Sequence, residues 1–367
     1  MSAPSTPELA PGTVVADRYE VARLLGDGSP GQVYLAIQHP LEREVVLKIV
    51  DTNPHDPRDQ ARFRREAEAL SRLSHPACIE VIDYGQWTQW SYLALIFVPG
   101  PQLSNRLPPS GRWDLASALD LCIDVADGLA HAHSVGVIHR NLSPDRIVVT
   151  EQRGRRASAQ MVDFGFAHIG RVDLDTTAGS KPMGTPGYMA PERIRGQPGD
   201  PRADVFALGV ILFEMLTGTH PFRRARSADT LAATATERVP RLSDVHPAID
   251  APPPVIEALW KATSPDPEQR FANGDELVHA LREARASLPS TPPSPPAVGH
   301  PTDLPPLGVD PVQDEPTSAP PPPPLDPSSP RRSSWGTTAA IVVVLCLVGG
   351  AGTITLGVLV GSWLAQQ

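Results

Sequence analysis

The glycines Gly26, Gly28 and Gly31, the lysine Lys48 and the glutamates Glu66 and Glu68 are the first residues whose types and spacing suit chemistry. The glycines stand in GxGxxG spacing within "LLGDGSPGQVYLA", a pattern that lets backbone amides cover phosphate oxygens closely. Lys48 follows Gly31 by 17 residues. A lysine held by a glutamate acts on phosphate as a positioned point charge. Each feature also has a plain structural explanation. Glycines so spaced serve ordinary hairpin turns, and a lone lysine in an apolar strand is usually an edge residue with its head in solvent.

For these groups to meet, the chain must supply elements that carry them together. Apolar alternation on both sides of the glycines predicts a strand, a tight turn and a returning strand. That order differs from the strand-to-helix turn of a dinucleotide fold. "EVVLKIV" reads as a strand bearing Lys48, and "DQARFRREAEALSRLSH" as a helix offering both glutamates. Downstream come "VIHRNLSPDRIVV", "MVDFGFAHIG", "MGTPGYMAPE" and "DVFALGVILFEMLTGTHPF".

In this order and spacing, residues of about 17 to 285 resemble a eukaryotic-type protein kinase domain, in the form found in bacterial membrane-anchored Ser/Thr kinases. The resemblance implies an α+β, two-lobed protein-kinase fold, with a small β-rich lobe hinged near "FVPG" to a helical one and nucleotide between them. It implies ATP and Mg2+ as ligands. On that pattern Gly26, Gly28 and Gly31 cover the phosphates, Lys48 grips them, Glu66 aligns Lys48 and Asp163 holds the metal. Val33, Val46, Leu95 and Val148 would line the adenine slot, and Glu192 would pair with Arg270 as a structural strut.

The departures from the family pattern fall where the reaction would occur. The family loop reads HRDLKPxN; here it reads His139-Arg140-Asn141-Leu142-Ser143-Pro144-Asp145-Arg146. At the position of the catalytic aspartate, Asn141 can hydrogen-bond a hydroxyl but cannot take its proton as a carboxylate does. Loss of a general base typically costs roughly 10²- to 10⁴-fold. Ser143 removes the cation that would face the transferring phosphate. Arg146 replaces an asparagine that would bind a second metal, and a guanidinium has no lone pair to offer. Two readings of Arg146 stay open: direct contact with phosphate oxygens, or a pairing with Asp145 or solvent. Val46 narrows the adenine slot, Asp27 places negative charge near the phosphates, and Pro30 stiffens the turn. Thr176, Thr177 and Ser180 suit either an activation segment ordered by phosphorylation, with Arg140 receiving the phosphate, or an unmodified polar loop. The expected activity is thus that of a pseudokinase which binds ATP and transfers phosphate very weakly or not at all. The alternative is a weakly active Ser/Thr kinase.

The chain of 367 residues is 41% hydrophobic, enough for a sizeable core. A net charge of -9 argues against nucleic acid as the main partner; the kinase resemblance implies protein partners in a signalling pathway. Cys78, Cys122 and Cys346 show no metal-ligand spacing and read as reduced structural thiols. Residues 1–16 read as a loose tail. Residues 286–336 form a linker, with 17 prolines among the 42 residues from Pro289 to Pro330, which excludes a packed core. Within it "APPPPPLDP" suits either a spacer or a ligand for aromatic grooves. Residues 337–364 are long and apolar enough for a transmembrane helix. Arg331 and Arg332 before it place the kinase-like domain on the cytoplasmic side of the plasma membrane. Gly349, Thr353, Gly357 and Gly361 recur every four residues, a stripe suited to homodimerisation.

Overall fold

The computed structural model describes residues 8–28, 31–52, 56–106, 111–151, 154–164 and 184–289. The linker from residue 290 on, the apolar segment 337–364 with its small-residue stripe, Pro30, Gly165, Thr176, Thr177, Ser180 and Cys346 lie outside them. Among the described residues no helix is long and apolar enough to cross a membrane.

The N-terminal part is an antiparallel sheet of β1 (Val14–Val15), β2 (Tyr19–Gly28), β3 (Gly31–Gln38), β4 (Arg43–Val50), β5 (Val81–Trp87) and β6 (Trp90–Ile96), in the order β1-β2-β3-β4-β6-β5. β-Branched and aromatic residues drive these strands, and one cluster of their side chains buries Tyr19, Tyr34, Leu47, Ile49, Trp90 and Tyr92. Gly28 pairs directly with Gly31, so the glycine motif closes a β-hairpin as its alternation predicts. Gly31 has φ +110° and lies so close to β4 that a Cβ would collide with the Ile49 carbonyl oxygen. Within the expected loose tail, the described residues 8–16 are tied to the sheet. β1 pairs with β2, Val15 is fully buried, and the Leu9 amide donates to the Tyr34 hydroxyl at 2.9 Å, because the tail's few apolar groups find room on the sheet.

Helix α1 (Pro57–Leu70) connects β4 to β5. Asp56 caps it by accepting from the Arg58 amide, Pro57 starts it, and Phe63, Ala67 and Leu70 form its buried face at helical spacing. The helical part contains α2 (Leu115–Ser134), α3 (Pro191–Ile194), α4 (Pro201–Thr217), α5 (Ser227–Thr236), α6 (Leu242–Val245), α7 (Pro253–Ala262) and α8 (Gly274–Ala286). α4 runs through its middle, buried on almost every side, and stops at Gly218 in the left-handed conformation (φ +69°). α8 packs along α2 so tightly that a Cβ on Gly274 would collide with the Ala130 amide. A short hairpin of β7 (Ile147–Thr150) and β8 (Ser158–Met161) completes this part. The fold is the two-part α+β arrangement expected.

Candidate functional site

The β7–β8 hairpin decides what the catalytic-loop segment faces. Ile147 pairs with Met161, and the Val162 amide donates to the Arg146 carbonyl at 2.9 Å, which sets Arg146 and Asp163 side by side. From the sheet comes Lys48, held in β4 between Val33 of β3 and Leu93 of β6 and only 3% exposed. Its Nζ donates to Asp163 Oδ1 at 2.6 Å. Arg146 Nε donates to the other carboxylate oxygen, Oδ2, at 3.1 Å. One Arg146 terminal nitrogen, Nη1, reaches Ser143 Oγ at 3.1 Å and Thr185 Oγ1 at 3.2 Å. Thr185 in turn donates to Asn141 Oδ1 twice, from its amide at 3.1 Å and from its hydroxyl at 3.3 Å. Lys48, Asp163, Arg146, Thr185 and Asn141 therefore form one continuous polar chain.

The loop itself is fixed from beneath by Asp204, 1% exposed in α4. Its carboxylate accepts from the amides of His139 (2.7 Å) and Arg140 (2.8 Å) and from His133 Nε2 (3.0 Å). The Gly274 amide donates to His133 Nδ1 at 3.0 Å, so the His133 hydrogen sits on Nε2 and points at Asp204. Burial alone would raise the Asp204 carboxyl; the His133 hydrogen bond, the two imidazoles and the His139 amide outweigh it and hold it below the ordinary carboxylate range. His139 packs its ring 4.6 Å from that of Phe164, and burial keeps its imidazole below its usual value. Arg140 and Asp163, at the two ends of this arrangement, both adopt the left-handed backbone region, with φ +65° and +62°.

Electrostatics at the centre follow from the same geometry. Burial works to raise Asp163, but Lys48 and Arg146 together hold its carboxyl below the usual range. Lys48 is pushed down by burial against the opposing attraction of Asp163.

The remaining candidates divide. Val46 and Leu95 share a rung of the sheet, with Leu35 across from Val46, while Val148 enters from the β7–β8 hairpin, 7% exposed. Val33 lies one strand over, paired with Lys48. Gly26 pairs with Val33 in the hairpin that Gly28 and Gly31 close. Glu66 differs from expectation. Among the described residues Lys48 pairs with Asp163, whereas the charges acting on Glu66 are those of Arg140, Arg62 and Arg65. Partial burial raises the Glu66 carboxyl to about 7 in spite of them. Arg146 pairs with Asp163 and not with Asp145, which corrects the reading that joined it to its neighbour. Glu192 and Arg270 form the expected strut, a buried bidentate pair at 2.8 Å on both arms. Sequence reasoning missed Thr185, His133 and Asp204. A signal existed for the last, a lone acid at the start of the apolar run "DVFALGVILF".

Residues 19–281 match the protein kinase domain family. The chain is 34% identical over 302 residues to serine/threonine-protein kinase pkn3 of Myxococcus xanthus, covering 80% of this chain and 55% of that protein. It is 33% identical over 288 residues to the DNA damage-responsive serine/threonine-protein kinase RqkA of Deinococcus radiodurans, covering 77% and 42%. With serine/threonine-protein kinase PknA of Mycobacterium tuberculosis it shares 31% over 303 residues, covering 80% and 68%. The chain thus spans about half the length of the first two of these relatives. It belongs to the protein kinase domain family.

The family's ligands can be tested against the residues present. Lys48 and the Arg146 guanidinium suit phosphate oxygens. A magnesium ion demands near-ideal octahedral oxygen ligation. Here both oxygens of Asp163 carry cationic donors, and the second ligand position presents a guanidinium in place of an amide oxygen. Lys48 and Arg146 suit phosphate oxygens, Asp163 would remain as one metal ligand with its side chain 40% exposed, and the second ligand position is lost to Arg146.

Proposed function

We propose that this member of the protein kinase domain family is a pseudokinase: a nucleotide-responsive module that binds ATP and does not transfer its phosphate at a useful rate. The single observation that carries the reading is the polar chain from Lys48 to Asn141. The residue at the position of the general base is an amide whose oxygen already accepts two hydrogen bonds from Thr185. Each oxygen of the carboxylate that would face the metal already accepts from a cation, Lys48 or Arg146. The proton acceptor at position 141, the cation at position 143 and the second metal ligand at position 146 are all replaced at one centre, and residues acting as a unit lose activity together.

The module is tethered to the plasma membrane by the apolar segment 337–364, on the cytoplasmic side, through the Pro-rich linker. Its partners are signalling proteins, and Gly349, Thr353, Gly357 and Gly361 offer a face for a second copy.

A weakly active Ser/Thr kinase is the second reading. It is favoured by the retained Lys48–Asp163 contact and by the names of the relatives. Dissociative phosphoryl transfer asks little proton abstraction of the protein. A phosphotransfer assay on the purified full chain, with Asp163→Ala as control, separates the two. No transfer above that control is expected; turnover that disappears in the control would establish the weak kinase.

A further inference from the structure

We infer that Arg146 stands in for a divalent cation, so that a nucleoside triphosphate is held between Lys48 and the Arg146 guanidinium without magnesium. This rests on the proposed nucleotide binding and specifies its ion requirement.

Three observations support it. The guanidinium is already oriented, because Asp163, Ser143 and Thr185 take its Nε and Nη1 hydrogens. A group held in place gives up little freedom when it receives a ligand. Its other terminal nitrogen, Nη2, has no partner among the described residues, and the side chain remains 23% exposed. Two strong donors are therefore unspent at the edge of the site.

The third observation is the charge sum. Lys48 and Arg146 against Asp163 leave one net positive charge at the centre. With asparagine at position 146 the same trio would sum to zero, and a polyphosphate would need an imported cation. Arg146 supplies that charge from within the chain, on a planar fork suited to phosphate oxygens. A magnesium ion at Asp163 would compete with Lys48 and the guanidinium for the carboxylate and would face a repelling charge where a second oxygen ligand is needed. Metal should therefore add nothing to nucleotide affinity.

Thermal unfolding of the purified full chain with ATP, in EDTA and in magnesium, tests this. The expected result is a rise in melting temperature in EDTA at least as large as in magnesium. Arg146→Asn is expected to weaken ATP binding in EDTA by about tenfold or more, the scale of a lost charge-assisted hydrogen bond, and to recover it in magnesium. A wild-type shift seen only with magnesium overturns the inference and leaves the pseudokinase reading standing. An absent shift in both conditions overturns nucleotide binding itself. Unchanged binding of the variant in EDTA removes Arg146 from the role. The wild-type comparison decides the ion requirement even if the variant does not fold.

Discussion

A guanidinium is charged at every physiological pH and offers only donors, so one such group at position 146 changes both the charge and the ligand set of the centre. Replacing Asn141 by Asp alone leaves that change in place, and is expected to give almost no phosphotransfer. The triple variant Asn141→Asp/Ser143→Lys/Arg146→Asn is expected to exceed the sum of the single variants by roughly 10²-fold or more. Labelled phosphate on a protein substrate measures it, and equal activity in the single and triple variants would contradict the coupling. Glu66 makes a different prediction. Burial raises its carboxyl from 4.5 to about 7, so the folded state binds the extra proton. Its contribution to stability is complete below the unfolded value and is lost as pH rises through about 7. Glu66→Gln should match wild type near pH 4 and be more stable by ~1–2 kcal/mol at pH 8, a figure reduced for partial solvent screening. Urea midpoints across that range check it; a difference that ignores pH would contradict it. Asn141, Ser143 and Arg146 were legible in the sequence because an eight-residue motif fixes their positions. The surroundings of Glu66 were not, because the side-chain environment of a helix depends on its rotation about its axis. Thr185 was not legible either, since it meets Asn141 across 44 residues of chain.

At the scale of elements, the strongest single tie is Arg270, which links the Glu192 end of α3 to the turn before α8. Its guanidinium spends donors on both Glu192 oxygens and on the carbonyls of Ser264, Arg202 and Pro265, and lies 4.9 Å from the Phe206 ring. Arg270→Ala leaves a buried carboxylate without its counter-charge and is expected to cost about 3–5 kcal/mol in urea unfolding. Combined Arg270→Met/Glu192→Leu should recover much of that loss, because the desolvated charges go together. A double variant as unstable as the single one would show that the carbonyl contacts dominate. The long strands and helices follow from apolar spacing and capping residues, which is why β3, β4 and α1 were readable. β1 was not. Two residues carry no periodicity, and its pairing depends on β2 already being in place.

For the molecule as a whole, composition is what proposes the boundaries. The change from mixed sequence to proline-rich and then apolar sequence follows the end of α8 at Ala286 within a few residues. If segment 337–364 is the tether proposed, the full chain should remain with membranes through a high-salt wash, and a chain ending at Pro289 should appear in the soluble fraction. Recovery of both in the soluble fraction would exclude the tether. What composition did not show is the division of labour around Asp204. The loop owes its conformation to a carboxylate beneath it, which grips the His139 and Arg140 amides, while its reactivity would depend on the side chains above. Posture and reactivity therefore answer to separate positions. Kinship recognised from architecture therefore carries no guarantee of turnover.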